Sequence, residues 1–79
     1  MMNIDEYRYV VYTTNSDKPL TEIYFCGNGK WSVDKGDAKV YHSLQSVKGA
    51  FAVMKRKYLG MIIGEDNRVK SVGWMIKAD

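Results

Sequence analysis

Cysteine, histidine and proline are scarce in this sequence, which has one of each: Cys26, His42 and Pro19. One cysteine excludes an internal disulfide and leaves no set of thiols for a structural metal site. A single thiol is typical of a reducing compartment, and the N-terminal stretch MMNIDEYRY lacks the apolar core of a secretory signal. No apolar run approaches the roughly 20 residues that a membrane-spanning helix needs. We therefore expect a cytoplasmic protein that does not bind membranes.

Strong charge of either sign is also lacking. The 79 residues carry 12 Lys/Arg and 9 Asp/Glu, a net charge of +3. This mild basicity permits contact with nucleic acid without demanding it, and it excludes the strongly acidic surface of a DNA mimic. A hydrophobic share of 46% and the short length indicate one globular domain over residues 1–79.

The first half of the chain has the composition of β-strands. Residues 7–14 (YRYVVYTT) are almost all β-branched or aromatic, and the turn formers of residues 15–19 end this run. A second run, residues 21–34, is interrupted by turn formers at its centre. Residues 38–41 (AKVY) alternate in polarity and predict a short fourth strand.

Asn28-Gly29, at the centre of the second run, is the strongest short signal for a β-hairpin, because both residues accept positive φ. If these two residues are the loop, one face of the hairpin is apolar and Trp31 is buried or nearly buried on it, with Cys26 as a core residue. Gly27 leaves this register open by one residue. The expected cross-strand pairs are Cys26 with Trp31 and Tyr24 with Val33.

A helix is predicted near residues 44–59. Ser43 is placed to cap its start and Gly60 to end it. The cations of residues 55–57 fall in its last turns, where positive charge suits the helix dipole. Apolar residues at spacings of three and four form the stripe expected to face the sheet: Leu44, Val47, Phe51, Met54 and Tyr58.

A closing hairpin is predicted after the helix, with residues 61–64 and 69–77 on either side of residues 65–68. Alternation places Val72, Trp74 and Ile76 on one face. The expected fold is therefore α+β, a mostly antiparallel sheet packed against a single amphipathic helix in the order β-β-β-β-α-β-β.

Catalytic and metal-binding patterns are weak. His42 stands beside Ser43, but capping already explains the serine, and a buried Cys26 behaves as a small hydrophobe. The loop carboxylates lack the spacing of a calcium loop, and CGNGK lacks the spacing of a phosphate loop. We predict no enzyme, no metal and no cofactor. The carboxylates are Asp34, Asp37, Glu65 and Asp66.

One helix face combines cations with small residues and is the candidate partner-binding site. It is opposite the apolar stripe and could contact an acidic protein surface or phosphates; an ordinary solvated face is the simpler interpretation. The six tyrosines are too many for the interior of so small a domain, and exposed ones suit protein interfaces or base stacking. The candidate site comprises Lys48, Gly49, Ala52, Lys55 and Arg56.

Residues 29–54, GKWSVDKGDAKVYHSLQSVKGAFAVM, resemble a pattern found in very small phage and prophage proteins. In those proteins a Trp-bearing strand leads through an Asp-containing loop to A-K-V-Y/F, a Ser-started amphipathic helix and a last strand or hairpin. Most are uncharacterised accessory products, and those with known roles bind and modulate a host or defence protein. The resemblance implies a similar fold and a binding role without a catalytic motif.

The sequence therefore predicts a small non-enzymatic binding protein with a protein partner, a phage-type modulator or inhibitor of a host or defence protein. The alternative is a small nucleic-acid-binding domain that uses the basic helix face or a tyrosine-rich sheet. Homodimerisation is a further expectation, because the short strands leave open sheet edges.

Overall fold

Strands and one α-helix make up the part of the chain that the structure, a computed structural model, describes: residues 8–14, 21–63 and 67–77. Three features addressed by sequence predictions lie outside the described residues: Tyr7, the turn at residues 15–19, and the pair Glu65 and Asp66. In chain order the elements are β1 (Arg8–Thr14), β2 (Glu22–Gly27), β3 (Lys30–Ser32), a 3-10 helix (Lys35–Asp37), α1 (Leu44–Tyr58), β4 (Ile62–Ile63), β5 (Asn67–Arg68) and β6 (Val72–Lys77).

Four of the strands form an antiparallel sheet in the order β3-β2-β1-β6. β1 lies inside this sheet, where Tyr12 is opposite both Tyr24 of β2 and Gly73 of β6. Its β-branched residues suit that position, since Val10 and Val11 have no exposed surface. α1 packs across β1 and β6. The predicted α+β fold, an antiparallel sheet with one helix packed on it, is confirmed.

The β2–β3 hairpin turns at Asn28-Gly29, as predicted. The two turn residues have φ of 53° and 75°, the positive angles for which Asn-Gly is favoured. The register differs from the predicted one, because a bulge at Cys26 and Gly27 leaves Phe25 opposite Trp31. The predicted pairing of Cys26 with Trp31 is therefore wrong, and the observed register differs from it by the one residue that Gly27 left open.

The bulge also changes which side chains of this hairpin are covered. Tyr24 faces Ser32, and Val33, its predicted partner, is 66% exposed beyond the end of β3. Trp31 is half-buried and packs against the core on the helix side. Cys26 is half-buried at the bulge and is not a core residue. One extra residue in β2 explains all of these differences.

Residues 38–41 do not form the predicted fourth strand. Lys39 donates its backbone N–H to the carbonyl of Phe25 in β2 at 2.8 Å. Two residues later, Tyr41 forms an isolated bridge with Tyr9 in β1, with N···O distances of 2.8 and 2.9 Å. Because this segment bonds to two different strands in turn, it makes no continuous ladder with either. The predicted alternation of its side chains is confirmed, since Ala38 and Val40 pack on the side of the sheet away from α1 and Tyr41 packs on the helix side.

α1 begins and ends where the sequence predicts, at the cap Ser43 and before Gly60, which has φ of 85°. Val47, Met54 and Tyr58 are buried, and Phe51 is half-buried against them. Leu44 was expected to face the sheet, but it is 41% exposed. It is the first helical residue, and the helix reaches the sheet core only in the following turn.

After α1 the chain forms a small hairpin before it returns to the main sheet. β4 pairs with β5, while β6 pairs with β1. The predicted closing hairpin between residues 61–64 and 69–77 is therefore wrong: β4 pairs with residues 67–68, which were predicted as turn, and residues 72–77 pair with β1. Val72, Trp74 and Ile76 share one face, as predicted: Val72 is buried, Trp74 packs against the core and Ile76 is 53% exposed.

A hydrophobic cluster lies on each face of the sheet. Residues 38–40, in the segment before α1, cover the face of the sheet away from the helix. The helix-side cluster contains the buried residues Tyr9, Val11, Phe25, Val47, Met54, Tyr58, Val69 and Val72. The opposite cluster contains Val10, Tyr24 and Ala38, with Tyr12, Val40 and Met75 packed against it.

Candidate functional site

The start of α1 determines which of its side chains point to solvent. Ser43 accepts a hydrogen bond from the N–H of Ser46 at 3.1 Å, which satisfies one free donor of the first turn. With Val47 and Met54 turned to the sheet, the opposite side of the helix is outermost. All five residues of the candidate site are exposed there: Lys48, Gly49, Ala52, Lys55 and Arg56.

Three of these five residues line an open groove of about 480 Å³ on the helix surface, together with Phe51 and Leu59. The three are Ala52, Lys55 and Arg56, whereas Lys48 and Gly49 are not part of its lining. Lys55 Nζ lies 5.9 Å from the centroid of the Phe51 ring. The groove therefore offers apolar surface next to two cations.

Phe51 and Leu59 are the site residues that the sequence predictions missed. The half-buried Phe51 was assigned wholly to the core, although its ring contributes to both the core and the groove. Leu59 is 49% exposed just beyond the last helical residue. Its position outside the apolar stripe is the signal that could have identified it, since an apolar side chain there does not face the sheet.

Charge is unevenly distributed over the described residues. α1 contains four basic residues and no acidic residue. The described acidic residues are Glu22, Asp34 and Asp37, which lie in β2 and in the connection after β3. Because α1 packs on β1 and β6, the acidic residues belong to the other half of the sheet. Among the described residues, the helix half therefore carries the excess of positive charge.

A second groove of about 220 Å³ lies between the β2–β3 turn and β4. Trp31 and Tyr58 line it with rings 5.4 Å apart at 82°. The indole Nε1 of Trp31 is buried and has no hydrogen-bond partner among the described residues. Since solvent does not reach this N–H, a ligand would bond to it only after a side chain moves. The groove on α1 is the more accessible of the two.

The tyrosines do not form an exposed sheet surface, contrary to the prediction. Of those described, Tyr9, Tyr24 and Tyr58 are 7–8% exposed. Tyr12 and Tyr41 are half-buried. Since both faces of the sheet carry a hydrophobic cluster, the tyrosine rings are taken up by packing there. Base stacking on these rings would require that packing to open.

His42 and Cys26 lie in different environments. His42 is exposed beside the cap Ser43. The Cys26 thiol donates to the carbonyl of Tyr24 at 3.4 Å. Burial raises the pKa of this thiol, and the negative charges of Asp37 and then Asp34 raise it further. A thiol held in its protonated form is a poor nucleophile.

The described residues include no group of three or more His, Cys, Asp or Glu side chains placed to hold a metal ion. Within the same residues, no helix is long and apolar enough to cross a membrane. A basic–apolar groove on α1 is therefore the arrangement around which a function can be argued. Comparison of the chain with protein-family models, with curated proteins and with solved structures gave no match.

Proposed function

We propose that this protein is a small non-enzymatic binding domain that contacts a larger protein through the outer face of α1. The observation that carries the proposal is the groove of about 480 Å³ lined by apolar and basic side chains. Phe51 and Leu59 provide surface for an apolar anchor of the partner. Lys55 and Arg56 are placed to pair with carboxylates around that anchor.

The resemblance of residues 29–54 to phage and prophage accessory proteins supports a host or defence protein as the larger partner. In this proposal the protein acts in the cytoplasm, and its binding modulates or inhibits the partner. An accessory protein of this size can act without a catalytic centre, because occupying a partner's functional surface is sufficient. The exposed His42 and the protonated thiol of Cys26 have no part in it.

Nucleic-acid binding is the second candidate, and the charge of α1 favours it. Four basic residues without an acidic one on the same helix could follow a phosphate backbone. The buried and half-buried tyrosines do not support a version of this proposal based on stacking. The protein-binding proposal also explains the apolar part of the groove, which phosphate contacts leave unused.

A capture experiment from host lysate, with and without nuclease, separates the two candidates. The immobilised domain is compared with the double variant Lys55→Glu/Arg56→Glu. Protein binding predicts a captured protein that resists nuclease and is lost in the double variant. Phosphate binding predicts loss of capture after nuclease treatment and a steep decline of affinity with salt.

The matched control is the double variant Lys30→Glu/Lys35→Glu. It also lowers the net charge from +3 by four units, but at exposed residues on the other half of the sheet. Capture should survive in this control. Equal loss in both double variants would show that overall charge, and not the groove on α1, governs binding, and would contradict the proposal.

A further inference from the structure

The backbone groups along the outer edge of β6 can be assigned from the hydrogen bonds of β1. Tyr9 donates its N–H to Tyr41 and accepts from the N–H of Tyr41, so both of its backbone groups point away from β6. In an antiparallel strand this direction alternates from one residue to the next. Val10 therefore points toward β6, where its partner is Met75.

The same alternation applies within β6. Because Met75 bonds toward β1, the flanking residues Trp74 and Ile76 direct their N–H and C=O groups away from the sheet. Within the described residues, β6 pairs with β1 and with no other strand. Ile76 is 53% exposed and Trp74 is half-buried, whereas Val72 is buried. The open edge is thus the stretch from Trp74 to Ile76.

Among the described residues, the charge around this edge is positive. Residues 67–77 contain three basic residues and no acidic one. Two of the three, Arg68 and Lys70, are exposed. α1, which packs against β6, adds four basic residues and no acidic one. An extended segment that pairs with this edge therefore gains from carrying carboxylates.

We infer that the outer edge of β6 binds an extended acidic segment of the protein partner, which adds to the sheet as a further strand. The added strand would bond to the outward groups of Trp74 and Ile76, and its apolar side chains would cover Ile76. Its carboxylates would face the cations of α1 and of residues 67–77. This inference rests on the proposed protein-binding function and assigns the form and charge of the bound segment.

A second copy of the chain is the competing occupant of the same edge. Antiparallel pairing of two β6 strands would place Lys77, the one basic residue of β6, in the pairing of both copies, without an acidic residue in either strand. Like charges across a strand pair are destabilising. Charge thus favours an acidic partner strand over the homodimer, and solution mass decides between them.

Because neighbouring N–H groups of β6 point in opposite directions, two proline variants distinguish its outer edge from its pairing with β1. Ile76→Pro removes a donor that points outward, so the ladder to β1 should remain. Met75→Pro removes a donor that points to β1, so it should unfold the domain or lower its melting temperature far more. If Ile76→Pro does not fold, a synthetic chain in which an ester oxygen replaces the Ile76 N–H removes the same donor without the ring.

The binding test uses a library of displayed random twelve-residue peptides against the immobilised wild-type domain. We expect the enriched peptides to alternate Asp or Glu with β-branched or aromatic residues. Loss of one backbone hydrogen bond together with the steric block of the proline ring should weaken binding of a selected peptide by about tenfold in Ile76→Pro. Ile76→Ala, which keeps the N–H, should bind much more tightly than Ile76→Pro.

The inference is overturned if the library yields no binder, if the binders lack acidic residues, or if Ile76→Pro binds them as tightly as Ile76→Ala. It is also overturned if the wild type sediments as a dimer that Ile76→Pro converts to a monomer, since the second copy then occupies the edge. If Ile76→Pro captures the lysate protein normally but Lys55→Glu/Arg56→Glu does not, the proposed function stands and only the edge inference fails.

Discussion

Phe25 and Trp31 face each other across the β2–β3 hairpin, with ring centroids 5.4 Å apart and planes at 67°. Tyr58 at the end of α1 joins them, 6.1 Å from Phe25 and 5.4 Å from Trp31. Edge-on aromatic pairs of this kind stabilise a core beyond the area they bury. The three rings connect the edge hairpin to the helix, so the position of α1 depends on the register of that hairpin.

Gly27→Ala should destabilise the domain by about 1–2 kcal/mol. Gly27 has φ of 94°, which a residue with a Cβ adopts only with strain, and the bulge that sets the hairpin register depends on it. Urea unfolding followed by tryptophan fluorescence measures the change. An unchanged midpoint would show that the hairpin does not need positive φ at this position.

Met54→Ala should cost about 2–5 kcal/mol, because it truncates a buried side chain of the helix-side cluster. Leu44→Ala should cost under about 0.5 kcal/mol, because Leu44 is 41% exposed. The two variants measured side by side by urea unfolding test the assignment of helix faces. A similar loss in both would mean that Leu44 is buried in solution.

Ser43→Ala should lower the free energy of unfolding by about 1 kcal/mol, since it removes the acceptor for the N–H of Ser46. Ser46→Ala is the matched control at the same helix end. It removes only a hydroxyl-to-hydroxyl bond of 2.8 Å and introduces the best helix former. Thermal unfolding of both variants gives the comparison, and equal losses would contradict the capping role of Ser43.

Gly49→Ala should stabilise the domain by about 0.5–1 kcal/mol, because glycine is a poor helix residue and a Cβ here would meet no atom within 4 Å. Gly49→Gln should fold equally well. If the partner covers this part of α1, Gly49→Gln weakens capture while Gly49→Ala changes it little. Unchanged capture by Gly49→Gln would limit the contact to the groove around Lys55 and Arg56.

Alkaline pH should destabilise the domain. Burial raises the pKa of Tyr24 above its ordinary value of 10.0, and the charge of Glu22 and a hydrogen bond to it raise it further. Burial also raises the pKa of Tyr41, and that of Cys26 above its ordinary 9.0. The folded state thus favours the protonated forms, and this contribution is complete below the ordinary values and declines as pH rises past them.

We therefore expect the free energy of unfolding, measured in urea, to decrease from about pH 9 upward as these groups ionise more readily in the unfolded chain. Tyr24→Phe should reduce the slope, because it removes one of the ionising groups. A free energy of unfolding of the wild type that stays constant between pH 8 and pH 11 would contradict the assigned environments. So would a wild-type slope equal to that of Tyr24→Phe.

Local sequence patterns predicted the helix ends and the hairpin turn, because these features depend on the chemistry of neighbouring residues. Ser43 and Gly60 fix the helix ends through caps, and Asn28-Gly29 fixes the turn through positive φ. The hairpin register was not predictable in the same way, since the bulge at Cys26 adds a residue without changing the alternation on either side. Local signals define elements, and tertiary packing selects among registers.

The candidate site shows the same division between local and tertiary information. Helical spacing correctly predicted that Lys55 and Arg56 are exposed, since the opposite side of the helix is apolar. It did not reveal that Phe51 and Leu59 line a groove beside them. The exposed fraction of Phe51 depends on how closely the helix packs against the sheet.

The pairing of β1 with β6 makes the order in which this chain is synthesised matter for its folding. Thr13 Oγ1 donates to the carbonyl of Ser71, 58 residues later in the chain. While the chain emerges from its N-terminal side, β2 and β3 are available to β1 long before β6 is. The nascent sheet therefore leaves the backbone N–H and C=O groups on one edge of β1 unpaired until β6 arrives, and closure of this long loop is the slow step expected of non-local strand pairing.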